Sequence, residues 1–153
     1  MISLLDLENQ YNLNLTQGVV TSMKHVVPLH VTNSFPQVTE QSILVDYGVF
    51  IELTGDIKGK LVLCGEIFVF SAIGQSMFGI PIEGEMLDSF IGELGNMIAG
   101  SFSTIIAEYG INTDITAPLV MKKSTVLTKF EKGMQVPITF EGAGEINVYL
   151  LID

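Results

Sequence analysis

The sequence predicts an α+β fold, with helices packed over one face of a largely antiparallel β-sheet. Three observations point to it. Apolar residues recur at the helical period in three stretches and alternate at period two in most of the rest. The order is helix, two strands, helix, helix, then three or four strands, so the two kinds of element are segregated. Two of the strand pairs are joined at glycine-containing breaks, Gly55-Asp56 and Gly142-Ala143-Gly144, the chemistry of hairpin turns.

Residues 1–8 show no clear pattern. From about Glu8 to Val27, the apolar positions Leu13, Val19, Val20, Met23 and Val27 fit a helix, which Pro28 ends. The stretch from Pro28 to Gln41 is rich in Thr, Asn, Ser and Pro and reads as a connector with a short extended piece at Leu29 to Val31. At Ile43 the period becomes two: Ile43, Val45, Tyr47, Val49, Ile51 and Leu53 are expected on one face of a strand. Lys58 to Cys64 returns as its hairpin partner. Phe68 to Phe78 is a short helix, so apolar that it is expected inside the fold, and Gly79 and Pro81 end it. Glu83-Gly84-Glu85 then places carboxylates near the positive end of the longest helix. Beyond Tyr109-Gly110, which suits a helix C-cap, Ile111 to Met121 is extended and Thr125 to Phe130 strand-like. Met134 to Phe140 and Glu145 to Ile152 form the second hairpin. Pro137 has no N–H to give a ladder, so its arm is expected to be bulged or at an edge there.

Composition narrows the function. A chain of 153 residues, 48% apolar and 16% charged, is expected to be one well-packed domain spanning residues 1–153. With a net charge of −10 and only seven Lys and Arg, it is a poor ligand for nucleic acid or an anionic membrane surface. No apolar run is read as approaching the roughly 20 residues of a membrane span. Met1-Ile-Ser-Leu-Leu-Asp has no basic flank for a signal peptide, so a cytoplasmic location is expected. The single cysteine, Cys64, fits a reducing compartment and is most simply a small buried hydrophobe.

Little in the chain resembles familiar catalytic machinery. His25 and His30 flank Pro28 without metal-ligand spacing, and there is no phosphate-binding glycine loop, nucleophile elbow or base beside Cys64. Glu83, Glu85 and Asp88 suit the first turns of a helix better than a cation site, and no metal ligands are assigned.

What remains is the centre of the long helix, Ser89-Phe-Ile-Gly-Glu93-Leu-Gly-Asn96-Met-Ile-Ala-Gly100. At about 100° per residue, Leu87, Ile91, Leu94, Ile98, Phe102 and Ile105 make an apolar stripe. Ser89, Glu93, Asn96 and Gly100 follow at i, i+4, i+7 and i+11, nearly opposite it. From spacing alone, these are either solvated residues on an outer face or a carboxylate and a carboxamide displayed as a working pair. Gly92, Gly95 and Gly100 each cost the helix about 1 kcal/mol relative to alanine. Such glycines let another backbone come close, from a neighbouring element or a docking partner. A carboxamide is a poor acid and a poor nucleophile, yet it can hold a water in line. That is a useful contribution to hydrolysis of a reactive acyl phosphate.

The run Ser89-x3-Glu93-x2-Asn96, continuing Met-Ile-Ala-Gly100, resembles the active-site helix of the CheC/CheX/FliY phosphatases of bacterial chemotaxis. With one copy of the motif, and with Asp114-Ile-Thr-Ala-Pro118 downstream, it is most similar to the CheX branch. The resemblance covers roughly residues 43–121. It implies a single CheX-like phosphatase domain that hydrolyses the aspartyl phosphate of a CheY-like response regulator. Asn96 would orient the attacking water and Glu93 would pair with the regulator's lysine, these two being the catalytic residues. Ser89, Gly92 and Gly100 would lie at the partner interface. Mg²⁺ would come bound to the regulator, leaving this chain no cofactor of its own, and a homodimer is implied. The alternative is a non-catalytic module related to flagellar switch components that docks a regulator without hydrolysing anything.

Overall fold

The computed structural model describes residues 9–153. The first helix, α1 (Gln10–Val26), starts where the side chain of Asn9 accepts the Asn12 backbone N–H at 2.9 Å. It ends before Pro28, as the sequence requires. The Glu8 end of the expected helix lies outside the described residues.

Three short strands follow: β1 (Val31–Asn33), β2 (Gln37–Val38) and β3 (Ile43–Val45). The hairpin arms are β4 (Gly48–Gly55) and β5 (Gly59–Gly65). Next come α2 (Ile67–Phe78) and α3 (Gly84–Ala107), then β6 (Thr113–Ile115), β7 (Leu119–Met121), β8 (Thr125–Leu127), β9 (Lys132–Phe140) and β10 (Gly144–Ile152). The main sheet is antiparallel throughout, in the order β1-β9-β10-β5-β4-β6, with β2 also on β9 and β7 also on β4. Alternation then sorts the side chains. Val49, Ile51 and Leu53 of β4, Leu61 and Leu63 of β5, and Ile146, Val148 and Leu150 of β10 meet α1 and α3 in the main core. The two helices touch closely at Gly18, where a Cβ would lie 2.9 Å from Ile106 Cγ2 and 3.2 Å from the Phe102 ring.

Four expectations are corrected by the packing. The strand expected from Ile43 to Leu53 is two strands, bent at Asp46-Tyr47. Tyr47, Val49, Ile51 and Leu53 face the helices, but Ile43 and Val45 do not. They cross to the other side of the sheet, where β3 pairs with β8 as a separate ribbon. That ribbon closes a second cluster of Ile43, Val45, Val62, Met121, Leu127 and Leu151. Ser124 Oγ donates to Asp46 Oδ1 at 2.7 Å and ties the bend to the strand returning from it.

Pro137 is neither bulged nor on an outer strand: β9 lies inside the sheet and keeps unbroken register with β10 through Pro137↔Asn147. Its carbonyl, which points to the same side as its nitrogen in a strand, accepts from Ser34 N at 3.1 Å. The missing donor therefore falls between β1 and β2, a local gap in the ladder.

Nor is α2 wholly inside. Val69, Phe70, Ile73 and Gly74 are buried, but Phe68 and Phe78 are 65% and 60% exposed. Finally, α3 at 24 residues is long and apolar enough to cross a membrane by length and composition, contrary to the reading of the bare sequence. In the fold it is the core helix, its apolar side buried against α1 and the sheet.

Candidate active site

The helix α3 is about 36 Å long at 1.5 Å per residue, and packing fixes its rotation. Leu87, Ile91, Leu94, Ile98, Phe102 and Ile106 are buried, with Ile105 only half-buried beside them. The opposite face is thereby turned outward: Ser89, Glu93 and Asn96 are exposed, and Gly100 is partly so. The side chains of Ser89, Glu93 and Asn96 take no hydrogen bond or ion pair from other described residues. Their polar groups point at whatever approaches from outside.

The glycines beside them have three different surroundings. At Gly95, a Cβ would lie 2.9 Å from both Ile51 Cδ1 and Val49 Cγ1, so this glycine lets α3 sit down on β4. Gly92 is also buried, facing the chain's own Pro118 and Val120, where a Cβ would find ordinary contacts at 3.9 and 3.5 Å. Close approach at Gly92 is thus made by the link between β6 and β7, and the glycine is covered by it. Gly100 has nothing within 4 Å of a Cβ position. Of the three, it is the one with open space before it.

The motif Asp114-Ile-Thr-Ala-Pro118 forms that link. Thr116 is fastened to the sheet by Thr116 N to Glu52 O at 3.0 Å and Glu52 N to Thr116 Oγ1 at 3.1 Å. Ser103, on the Asn96 side of the helix, donates to Thr113 O at 2.9 Å. The side of α3 that carries Asn96 is therefore braced by a strand and its arch.

The Glu93 side is different. Here an open groove of about 390 Å³ is lined by Phe78, Ile80, Ile82, Met86, Phe90, Ser89 and Glu93 itself. Phe78 packs edge-on against Phe90 at 5.8 Å between ring centroids.

Asp88, one residue before Ser89, is held from the opposite direction. Tyr47 Oη donates to Asp88 Oδ1 at 3.0 Å, and Lys122 Nζ stands 3.7 Å from Oδ2. Burial, then the bond to Asp88, pushes the Tyr47 hydroxyl well above its ordinary pKa. Asp88 is thus occupied in anchoring the first half of α3 to the residues just before β4 and just after β7. Among the described residues, no three His, Cys, Asp or Glu side chains come together as a metal site.

Cys64 lies on the far face and is only half-buried, packed on the second cluster. Burial raises its pKa to about 11, partly opposed by a hydrogen bond with Tyr149, while the nearby Asp46 carboxylate adds to the rise. It stays a protonated thiol at neutral pH.

The helix α1 is an internal comparison. Its residues Gln10, Asn14, Gln17 and Thr21 repeat the spacing i, i+4, i+7, i+11, but the row has no carboxylate. Its groups are tied to each other: Gln10 Nε2 donates to Asn14 Oδ1 at 2.7 Å, and Gln17 Nε2 to Thr21 Oγ1 at 3.1 Å. In α3 the corresponding groups are unengaged.

Fold and site together define a class. A carboxylate and a carboxamide are held side by side on a braced, convex helix face, outside any enclosing cavity. Such a face is open to a macromolecular surface rather than shaped around a small molecule. The family profile described as chemotaxis phosphatase CheX matches residues 47–150, and the chain belongs to that family. It is 29% identical over 107 residues to the CheY-P phosphatase CheX of Thermotoga maritima, covering 67% of this chain and 68% of that protein. Its fold is similar to that of a chemotaxis protein CheX from Desulfovibrio desulfuricans, with a TM-score of 0.79 at 16% identity over 95% of this chain and all of the other. It is similar also to the CheX–CheY–BeF3–Mg²⁺ complex of Borrelia burgdorferi, with a TM-score of 0.72 at 18% identity, covering 94% of this chain and 97% of that one.

Two features escaped the sequence reading. The Tyr47–Asp88–Lys122 anchor joins three distant segments and has no local signature. The groove beside Glu93 had a partial one: Phe78, the last residue of an α2 too apolar on all sides for a helix with a single buried face.

Proposed function

We propose that this chain is a protein phosphatase that removes the phosphoryl group from the aspartate of a CheY-like response regulator in the cytoplasm. The observation that carries the reading is the exposed, unengaged pair Glu93 and Asn96 on the helix of a CheX-family fold. A surface carboxylate and carboxamide one turn apart span too little chemistry for a self-contained active site. They suffice for a substrate protein that arrives with an activated acyl phosphate and its own Mg²⁺, so the chain uses no cofactor of its own. Asn96 reaches the phosphoryl group and orients a water along the line of attack, donating and accepting in fixed geometry. Glu93 pairs with the regulator's lysine, which draws that cation from the phosphoryl group and fixes the register of docking. Ser89 and the open notch at Gly100 border the contact. Gly92 contributes indirectly, by seating the Pro118 arch beside Asn96.

A homodimer is part of the same reading: β1 and β2 on one side of the main sheet, and β6 and β7 on the other, are the edges on which a second chain can pair.

The test is the decay of a radiolabelled, Mg²⁺-bound phosphoregulator from the same cell, with wild type, Glu93→Ala and Asn96→Ala in parallel. Wild type accelerates the decay. Asn96→Ala loses the acceleration by about 10²-fold or more, as expected for loss of a positioning group, and Glu93→Ala raises the half-saturating concentration. A wild type that binds the regulator but leaves its decay unchanged would replace the enzyme with a docking module.

A further inference from the structure

One carboxylate–lysine contact is only part of what holds two proteins together, because both groups give up hydration when they meet. Something else must hold the regulator. Beside Glu93 lies the groove formed where α2 turns into α3. Phe78, Ile80 and Met86 on its walls are 60%, 52% and 55% exposed, Phe90 and Ile82 form its floor, and its polar members are Ser89 and Glu93. Met86 and Glu93 lie two helical turns apart on nearly the same line of α3, about 10 Å along the axis. A protein surface that covers Glu93 and Asn96 cannot avoid this groove.

We propose that the groove is the docking site for an apolar patch, fringed by Lys or Arg, on the rim of the regulator's phosphorylation pocket, and that it sets which regulator is accepted. The proposal rests on the phosphatase reading. Continuity identifies the occupant, since the groove shares Ser89 and Glu93 with the reacting face. Charge complementarity defines its edge. Its charged member is the carboxylate of Glu93, on a chain of net charge −10, which favours a basic fringe. Large apolar side chains around a shared rim are the composition of binding anchors. The chemistry at Asn96 is then common to any phosphoaspartate, and discrimination between regulators is made at Phe78, Ile80 and Met86.

Ile80→Ser and Met86→Ser carry the test, since Phe78→Ser also removes the ring contact with Phe90. Val126→Ser, at a 60% exposed site on the β3–β8 ribbon, is the control. Two quantities are measured with a CheY-like receiver domain from the same cell. One is the dissociation constant of its beryllofluoride–Mg²⁺ form, and the other is the dependence of dephosphorylation rate on regulator concentration. Each groove variant raises the dissociation constant and the half-saturating concentration about tenfold, leaving the saturated rate within about twofold, and Val126→Ser changes neither. Groove variants that bind like wild type overturn the proposal while leaving the phosphatase standing. Loss of a homodimer with unchanged regulator binding also overturns it, a second copy being the occupant. Wild type that binds, and binds less tightly in the variants, but never speeds hydrolysis upholds the groove and removes the phosphatase. Wild type that neither binds nor hydrolyses removes both.

Discussion

Alanine at each of the three α3 glycines separates what packing requires from what docking requires. At Gly100 the added methyl meets nothing within 4 Å. The change then gains the helix propensity of alanine, about 1 kcal/mol, or roughly 2–4 °C in Tm for a domain of this size. At Gly95 the same gain is set against a Cβ at 2.9 Å from Ile51 Cδ1 and Val49 Cγ1 and 3.1 Å from Val49 Cγ2. All of these belong to buried side chains. Overpacking of this kind costs about 1–3 kcal/mol, so Gly95→Ala is expected to range from neutral to about 2 kcal/mol destabilising. Gly92→Ala, with its nearest contact at 3.5 Å, should behave more like Gly100→Ala. Urea unfolding of the three variants gives the order directly, and regulator dephosphorylation on the same samples gives the functional half. Gly100→Ala should be more stable than wild type yet need a higher regulator concentration for half-maximal rate, because its methyl fills the notch below Asn96. Gly95→Ala as stabilising as Gly100→Ala would refute the packing argument. Unchanged kinetics in Gly100→Ala would remove Gly100 from the docking face.

Other expectations concern the anchor and the far face. Tyr47→Phe removes the donor to Asp88 and should cost about 1 kcal/mol in denaturant unfolding, with the saturated dephosphorylation rate changed little. Cys64 and Tyr149 have folded pKa values raised from 9.0 to about 11 and from 10.0 to about 12, chiefly by burial. Raised values mean that the stability tied to the neutral forms is complete below pH 9 and is lost as pH climbs through 11 and 12. Thermal unfolding followed from pH 8 to 12 should show that decline, with Cys64→Ala flattening its first part. Alkylation of Cys64 in the native protein should be slow at pH 8 and accelerate toward pH 11.

Much of the architecture was legible because it is local. Proline and glycine marked the ends of α1 and α2 and both hairpin turns. Residues recurring at the helical period showed which side of α3 would be buried. That same geometry put Ser89, Glu93 and Asn96 on the other side, since spacing on a helix fixes relative direction without any knowledge of what the helix packs against. Alternation from Ile43 to Leu53 predicts one strand where the fold has two, because it continues through a bend. Period two records that Ile43, Val45, Tyr47 and Val49 are all inward-facing, but two different interiors satisfy it equally.

By itself, then, the sequence determined the elements, the antiparallel α+β class and the polar line along α3, all consequences of interactions between near neighbours. Only the tertiary structure decided what each feature confronts. Gly95 is paired with Val49 and Ile51, Gly92 with Pro118 and Val120, and Asp88 with Tyr47 and Lys122. These partners come from segments far apart in the chain, brought together by the sheet order and by the rotation of α3 over it. The exposed half of α2 belongs to the same category. Its apolar residues read as core until the fold shows that the sheet and α3 cover only one side, leaving Phe68 exposed and, at the helix's end, Phe78 open beside Glu93.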